Sequence, residues 1–255
     1  MARFRLLPKD FKADSFMKMA VDEAVMVSVA SGLSPNTLRF YRWKEPAVSV
    51  GYFQEAEKVV NVGLCRKDGV EIFRRLTGGG AVYKDPLGEL NYSVVVRDDF
   101  DPRLKDVLSS YDFLCRGIVL GLEKLSLKAE FAPINDVLVM GRKVSGNAQT
   151  RLKGVILQHG TILIDVDPEK MFTYLNVNDE KIRGKMISNV KERVTSLNDS
   201  LKKRISFLDV EHALVLGFSE ALGADFFYDK LSLYEKKLAS DLYNKYSKDS
   251  WNFWR

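Results

Sequence analysis

Cysteine and histidine are scarce in this chain, with two of each among 255 residues. Cys65 and Cys115 lie far apart, and neither neighbours a second thiol or a histidine, so the spacing of a zinc site is missing and both read as reduced core residues. No apolar run approaches the roughly 18 residues of a membrane span. The basic N-terminus, Met1 to Lys12, has neither the apolar stretch nor the small-residue cleavage site of a secretory signal. No membrane association is expected, and the expected location is cytoplasmic. Repeats, low-complexity tracts and Pro- or Ser-rich linkers are also missing, so residues 1–255 read as one catalytic-domain-sized unit. A concentration of charge is lacking as well. The 39 basic residues are interspersed with 34 acidic ones for a formal charge of +5, which argues against a nucleic-acid partner while leaving a field that favours anionic substrates or an acidic protein.

What the chain does have is the composition of an ordinary globular protein, 46% hydrophobic and 29% charged. Phe16, Met19, Ala20, Ala24 and Val27 recur at helical spacing behind Asp14 and Ser15, which predicts a capped amphipathic helix from about Asp14 to Val29. Thr37–Tyr41 and Ala47–Tyr52 read as strands of a hairpin turned at Lys44-Glu45-Pro46. A strand starting at Glu71 leads into a glycine loop, and Leu90–Arg97 is a continuous apolar and β-branched run, the mark of a strand buried on both faces. A second long helix is expected over Lys105–Leu125, with Val107, Tyr111, Leu114, Ile118, Leu122 and Leu125 on one stripe. Asp136–Met140, Lys143–Asn147 and Val155–Asp165 form an expected antiparallel meander, its first pair joined across Gly141-Arg142. After Pro168 the periodicity turns helical near Pro168–Leu175, Asp209–Leu222 and Ser232–Tyr243, where Ser232 and Glu235 have capping-box spacing. Sheet first and helices later indicate an α+β (mixed α/β) fold with largely antiparallel sheet, not a doubly wound one.

Three stretches carry chemistry. In Arg74-Arg75-Leu76-Thr77-Gly78-Gly79-Gly80-Ala81-Val82-Tyr83, consecutive glycines remove every Cβ from an inter-strand loop, so its amides can approach anionic oxygens, and two arginines add fixed positive charge. No Gly-Lys-Ser/Thr closes the run as in a P-loop, and Tyr83 stands where a dinucleotide fingerprint has its third glycine. In the second stretch, Asn135 to Gln149, Lys143 follows a tight turn and is flanked by Ser145, Gly146 and Asn147, unlike a core strand. A lysine with a reference pKa of about 10.4 stays charged unless desolvated, and near a surface it attracts an anion at 4 Å by about 4 kcal/mol. Asn135-Asp136 reads equally as a ligand-binding or a turn-capping pair. In the third, Gln158-His159-Gly160-Thr161 interrupts an apolar strand with polar side chains and a glycine, where a ligand or another backbone approaches, although a lone strand histidine is commonly a hydrogen-bonded core residue. His212, in a late helix, reads as structural or exposed.

Together these stretches resemble the lipoate-protein ligase family, which shares a fold superfamily with biotin ligases and octanoyltransferases. Similar proteins carry an Arg-Arg-x-Ser/Thr-Gly-Gly-Gly-Ala-Val-aromatic loop, an Asn-Asp before a Gly-x-Lys-x-x-Gly hairpin, and a later His-Gly-Thr strand; here these are Arg74–Tyr83, Asn135–Gly146 and His159–Thr161. Softer echoes are Asp22-Glu23-Ala24, Arg39-Phe40-Tyr41, Gly51-Tyr52-Phe53-Gln54, Gly88 to Ser93 and Arg193-Val194-Thr195-Ser196-Leu197. The resemblance implies a class II aminoacyl-tRNA synthetase/biotin ligase-like fold. It implies an enzyme that activates lipoate with ATP to lipoyl-AMP and transfers the lipoyl group to a lysine of a lipoyl-domain protein, such as the E2 component of a 2-oxoacid dehydrogenase or the glycine cleavage H protein. Carried over by position, Lys143 is the catalytic residue. Arg75, Gly78, Gly79, Gly80, Ala81, Val82, Tyr83, Asn135, Asp136 and Lys143 are the ATP and adenylate site; Lys143, Arg75, Gly79 and His159 the lipoate site; and Asp136 the Mg²⁺ ligand. Val48, Val50 and Leu138 are expected along the acyl tunnel.

Two departures qualify the match. Lys84 stands where relatives commonly have histidine, so no catalytic role is read there. The chain ends at Trp251-Asn252-Phe253-Trp254-Arg255 without the small C-terminal accessory domain of single-chain ligases, which resembles the archaeal split type and implies a separate small subunit. The alternative reading is an octanoyl or lipoyl transferase acting from an acyl carrier protein. Similar transferases place a nucleophilic cysteine near the segment that here reads Phe131-Ala132-Pro133-Ile134-Asn135, and no cysteine is there. On that ground the ligase is the expected activity.

Overall fold

The computed structural model describes residues 2–9, 12–176 and 180–255. In chain order its first half contains β1 (Ala2–Leu6), α1 (Ser15–Ala30), β2 (Thr37–Tyr41), β3 (Ala47–Val50), α2 (Ala56–Val59), α3 (Val62–Asp68), β4 (Glu71–Arg74), β5 (Val82–Lys84) and β6 (Glu89–Arg97). A 3₁₀ turn at Pro102–Lys105 leads into α4 (Val107–Lys124), then β7 (Ala129–Ala132), β8 (Asp136–Val139), β9 (Arg142–Leu152) and β10 (Val155–Leu163). The remainder is α5 (Pro168–Thr173), α6 (Glu180–Arg193), α7 (Leu197–Leu201), α8 (Phe207–Leu222), β11 (Ala224–Tyr228), α9 (Leu233–Tyr246) and α10 (Asp249–Asn252).

Eight strands form one sheet in the order β11-β1-β2-β6-β10-β9-β8-β7, and β4-β3-β5 form a second. In the large sheet β1 pairs in parallel with both β11 and β2, and every other pairing is antiparallel, so the expected α+β class with a largely antiparallel sheet is what the chain adopts. α4 and α8 cover one face over a core of Phe4, Phe40, Val94, Leu114, Ile118, Ile156, Leu214 and Phe218, while α1 and α9 cover the other around Val25, Met26, Val95 and Leu157. This double cover buries both faces of β6, all of it but Arg97; the expected continuous apolar run is corrected, since Glu89, Asn91 and Ser93 alternate with the core residues Leu90, Tyr92 and Val94 and are buried as polar groups. No helix of the described residues is long and apolar enough to cross a membrane.

The local signals mostly decide as read. Asp14 Oδ1 accepts the Met17 amide at 2.8 Å to cap α1, and Ser232 and Glu235 close a reciprocal capping box on α9. Two further readings are corrected, and one helix is unexpected. The expected hairpin of Thr37–Tyr41 with Ala47–Tyr52 does not form, because β2 pairs with β1 and β6 while β3 belongs to the other sheet. The connection is spent on crossing between sheets, with Trp43 buried against Phe73 and donating its Nε1 proton to Glu89 at 2.6 Å. The β8–β9 turn sits on Met140-Gly141, not Gly141-Arg142; both residues have positive φ, +51° and +72°, as a two-residue type I′ hairpin requires. Finally, α6 is a helix that the apolar periodicity does not announce, since its sequence, EKIRGKMISNVKER, has no sustained apolar face.

Glycines set the closest helix contact. A Cβ on Gly217 of α8 would sit 2.2 Å from the Gly121 amide nitrogen and 2.3 Å from the Gly117 carbonyl of α4. Gly217→Ala is therefore expected to lower unfolding free energy by about 1–3 kcal/mol through overpacking. Gly184→Ala in α6, where nothing lies within 4 Å, is expected to be neutral or slightly stabilising. Urea unfolding of the two variants tests the contrast, and equal stabilities would refute the close α4–α8 contact.

Candidate active site

The adjacent arginines of the glycine loop divide their labour. Arg74, at the end of β4, is fully buried and points away from the loop, donating to the backbone carbonyls of Gly51, Tyr52 and Gln54 (2.9, 2.9 and 2.7 Å) and of Trp251 and Asn252 (3.1 and 2.9 Å). It fastens the C-terminal segment to the β3 exit. Arg75 curls back on its own loop: Nε reaches Thr77 Oγ1 (3.1 Å), one terminal nitrogen the carbonyl and hydroxyl of Ser49 (3.1 Å each), and the other the carbonyls of Gly78 and Gly80 (2.7 and 2.9 Å). Burial pulls its pKa down to about 10, so it is still a cation near neutral pH. Because a trans peptide points its C=O and the following N–H in opposite directions, the amides of Gly79 and Ala81 are turned away from this guanidinium. Gly79 has φ +99°, and a Cβ on Gly51 would lie 1.9 Å from its carbonyl oxygen, so both positions exclude a side chain.

A hydrogen-bonded chain ties this loop to the large sheet. The His159 Nε2 and Thr77 Oγ1 are 2.7 Å apart, His159 Nδ1 lies 3.4 Å from Asp22 Oδ2, and Asp22 Oδ1 accepts from Arg39 (2.5 Å) and Ser93 Oγ (2.8 Å). Burial pushes the Asp22 carboxyl upward, but Arg39, His159 and Ser93 outweigh it and leave the pKa below the usual carboxylate range. For His159 burial dominates, and its pKa falls despite Asp22. A neutral imidazole with its proton on Nδ1 toward Asp22 then accepts the Thr77 hydroxyl at Nε2, which leaves Thr77 free to accept from Arg75. The softer echoes Asp22 and Arg39 are thus part of the loop's support.

The second stretch forms the facing wall. Lys143 Nζ lies 2.7 Å from Asp136 Oδ1, an ion pair by proximity whose geometry is not that of a hydrogen bond. Its side chain lies across Gly146, where a Cβ would be 2.8 Å from Cε and Nζ. Asn135 and Asn147 clasp each other through side-chain amides and backbone carbonyls, and Asn147 Oδ1 also accepts from Tyr92 at 2.8 Å. A Cβ on Gly160 would approach that oxygen to 2.1 Å, which accounts for the glycine after His159. Arg193 to Leu197 explains itself by packing here, with the Thr195 amide donating to the Lys143 carbonyl at 2.8 Å.

Between the sheets these walls enclose a cavity of about 530 Å³, in the usual range for a small-ligand site. Its lining brings together Arg75, Gly78, Gly79, Gly80, Val82, Tyr83, Asn135, Lys143 and His159 of the sequence-predicted set, while Ala81 and Asp136 are not in it. Asp136 lines a neighbouring cleft with Leu138, and Lys143, Val190 and Val194 border both spaces. The expected tunnel residues are corrected: Val48 and Val50 are core with Cys65, and the apolar wall is made instead by Met19, Tyr41, Trp43, Phe73, Leu163 and Met171. Lys84, passed over in the sequence, also faces the cavity. Its Nζ lies 2.5 Å from Thr161 Oγ1 and 3.3 Å from Glu89 Oε1. For Mg²⁺ the donor set fits poorly: Asp136 is already paired with Lys143, and among the described residues no three acidic, histidine or cysteine side chains converge.

Neither thiol reaches the cavity. Cys115 is buried behind Gln158, 3.7 Å from its Nε2, and burial pushes its pKa far above the ordinary value; burial raises Cys65 to about 11. No cavity-lining residue is a cysteine.

An apolar-walled cavity rimmed by cations and glycine amides suits a small ligand with an apolar body and an anionic or polarised head. The family follows from comparison. Residues 14–219 match the lipoyl protein ligase A/B catalytic domain, and the chain belongs to this family of enzymes. It is 39% identical to an octanoyltransferase LipM of Kyrpidia tusciae, over 95% of this chain and 96% of that one, and 34% identical to the octanoyltransferase LipM of Brevibacillus brevis, over 94% and 95%. Among solved structures it is similar to a chain of an archaeal lipoylation system, a bi-partite lipoate protein ligase and its E2 lipoyl domain from Thermoplasma acidophilum (TM-score 0.90, 36% identity, covering 99% of this chain and 97% of that one). These relatives overturn the expectation of an ATP-dependent ligase: full-length relatives at 31–39% identity are named for octanoyl transfer. The missing loop cysteine misled that expectation. Its absence removes one route to transfer, an acyl-enzyme thioester, but not transfer itself.

The depressed pKa of His159 has a thermodynamic signature. The unfolded histidine takes up a proton near pH 6.5 while the folded one resists, so stability is lost as pH falls below about 6.5, by at most about 1.4 kcal/mol per pH unit. Urea unfolding at pH 7.5 and 5.5 is expected to show a steeper acid loss in the wild-type chain than in His159→Gln. Identical pH dependences would contradict the buried neutral imidazole.

Proposed function

We propose that this enzyme transfers an octanoyl group from the thioester of an acyl carrier protein to a lysine of a lipoyl-domain acceptor. The observation that carries this reading is the likeness, over nearly the whole chain, to octanoyltransferases. The cavity suits it in kind. The apolar wall from Met19 to Met171 takes the hydrocarbon chain, and the thioester carbonyl lies at the polar rim. There the Lys143 ammonium and loop amides such as that of Gly79 stabilise the oxyanion that develops as the carbonyl becomes tetrahedral, the field of buried Arg75 adding to theirs. With no thiol in the wall, the acceptor amine attacks the carrier thioester directly. The C–N bond forms, the C–S bond breaks, and the carrier thiol leaves.

The reading is tested by incubating the chain with octanoyl-carrier protein and an apo lipoyl domain, and weighing the acceptor by intact-mass spectrometry. An octanoyl increment without ATP is expected. Lys143→Ala should slow it by about 10²–10³-fold, and the double variant Cys65→Ala, Cys115→Ala should retain it. An increment that appears only with a free acid, ATP and Mg²⁺ would overturn the thioester donor.

A further inference from the structure

Direct aminolysis raises a proton problem that Arg75 and Lys143 do not solve. A lysine of pKa about 10.4 reaches the site as an ammonium, and it must surrender two protons to become an amide nitrogen. The departing thiolate accepts one. The other needs a base within reach of the attacking amine. His159 is committed at both ring nitrogens, to Thr77 and to Asp22. Lys143 is paired with Asp136.

Asp165, Asp167 and Lys170 line the cavity from exposed positions and Asp85 is half-buried, whereas Lys84 and Glu89 form a buried pair in its wall. Lys84 ends β5 and Glu89 begins β6, and the turn between them is held tight, since a Cβ on Gly88 would lie 2.6 Å from the Asp165 carbonyl. Lys84 Nζ is 3.3 Å from Glu89 Oε1 and donates to Thr161 Oγ1 at 2.5 Å, and Thr161 in turn donates to Asn91 Oδ1 at 3.1 Å. Glu89 Oε1 accepts from Trp43 Nε1 at 2.6 Å and from Asn91 Nδ2 at 3.1 Å. The lysine is therefore aimed by two polar neighbours, Glu89 and Thr161, and its partner carboxylate is fixed by two more donors, Trp43 and Asn91. Their side chains are only 11% and 4% exposed, so the pair belongs to the inner wall of the cavity and not to the outer surface.

We propose that Lys84 and Glu89 form a proton relay that deprotonates the incoming acceptor lysine. On the transferase reading, the attacking amine gives a proton to Lys84 Nζ as Lys84 passes one of its own to Glu89 Oε1. The C–N bond forms, the C–S electron pair leaves on sulfur, and the amine's other proton goes to that thiolate. Glu89 later returns its proton to solvent, and Lys84 is an ammonium before and after. The electrostatics favour the exchange. Burial lowers the Lys84 pKa, with Arg75 and Lys143 acting in the same direction and Glu89 opposing, while burial raises that of Glu89 against Lys84, Trp43 and Asn91, so the two proton affinities converge.

The test compares wild type, Lys84→Met, Lys84→Arg and Glu89→Gln in octanoyl transfer from the carrier to an apo lipoyl domain and, separately, to hydroxylamine, which is uncharged near neutral pH and needs no base to attack. Lys84→Met and Glu89→Gln are expected to lose about 10²-fold or more against the lysine acceptor at pH 7, to regain much of it as pH rises and the amine deprotonates itself, and to lose far less against hydroxylamine. Lys84→Arg keeps the charge but cannot relay a proton, and it is expected to resemble Lys84→Met. Equal losses with both nucleophiles, or full activity in Lys84→Arg, would overturn the relay. A wild-type chain that leaves both nucleophiles unmodified would instead sink the transferase reading, and the relay with it.

Discussion

A guanidinium can be buried only when its five N–H groups are answered, and Arg75 is answered by the loop that follows it and by Ser49 of β3. Leaving such donors unpaired costs about 1–3 kcal/mol each, more for a charged group. The loop is therefore as fixed as the arginine: the carbonyls of Gly78 and Gly80 face inward, and Gly51 and Gly79 lack side chains so that the backbones can meet. Thr77 extends the constraint. Through His159 and Asp22 it reaches Arg39 on β2 and joins the three-stranded sheet to the eight-stranded one. The cavity is the seam between those sheets, so its shape depends on this buried cation and the chain of polar groups behind it, with Lys84 making a second link from β5 to β6 and β10.

Much of this was legible in the sequence, and the parts that were not share a reason. The glycine loop, the Asn135–Gly146 hairpin and the His159 strand announce themselves because backbone approach demands glycine and because polar residues in strands need partners. The fold class follows from the order of periodicities. Local pattern says nothing about which of two adjacent arginines turns toward a ligand. Arg74 and Arg75 look alike in sequence and are separated only by the alternation of β4, which sends Arg74 into the C-terminal segment. Likewise β2 and β3 read as a hairpin because proximity along the chain favours one, whereas burying Trp43 between the sheets prevails. α6 was unreadable for lack of an apolar face. Lys84 was set aside because it replaces an expected histidine, and only tertiary structure shows that it faces the cavity beside Glu89.

The activity itself turned on a negative observation. A missing cysteine near Phe131–Asn135 argues against a covalent acyl-enzyme, and the structure extends that argument to both thiols, which are buried away from the cavity and held protonated by desolvation. It carries no weight against transfer in one step. A protein that holds a thioester and an amine together needs an oxyanion site, an apolar berth and a proton acceptor, and side chains suited to each line the same cavity here. On the proposed reading, family resemblance to lipoate ligases and transfer of octanoate are not in conflict, because a cationic rim serves a thioester oxyanion as readily as a phosphate.

Single-step transfer is the central claim, and the order of events tests it most directly. Initial rates measured over a matrix of octanoyl-carrier and apo-acceptor concentrations distinguish a ternary complex from a covalent intermediate. The account predicts intersecting double-reciprocal lines, since both proteins must be bound before any bond breaks. Parallel lines, with an octanoyl adduct left on the enzyme when the acceptor is withheld, would contradict it.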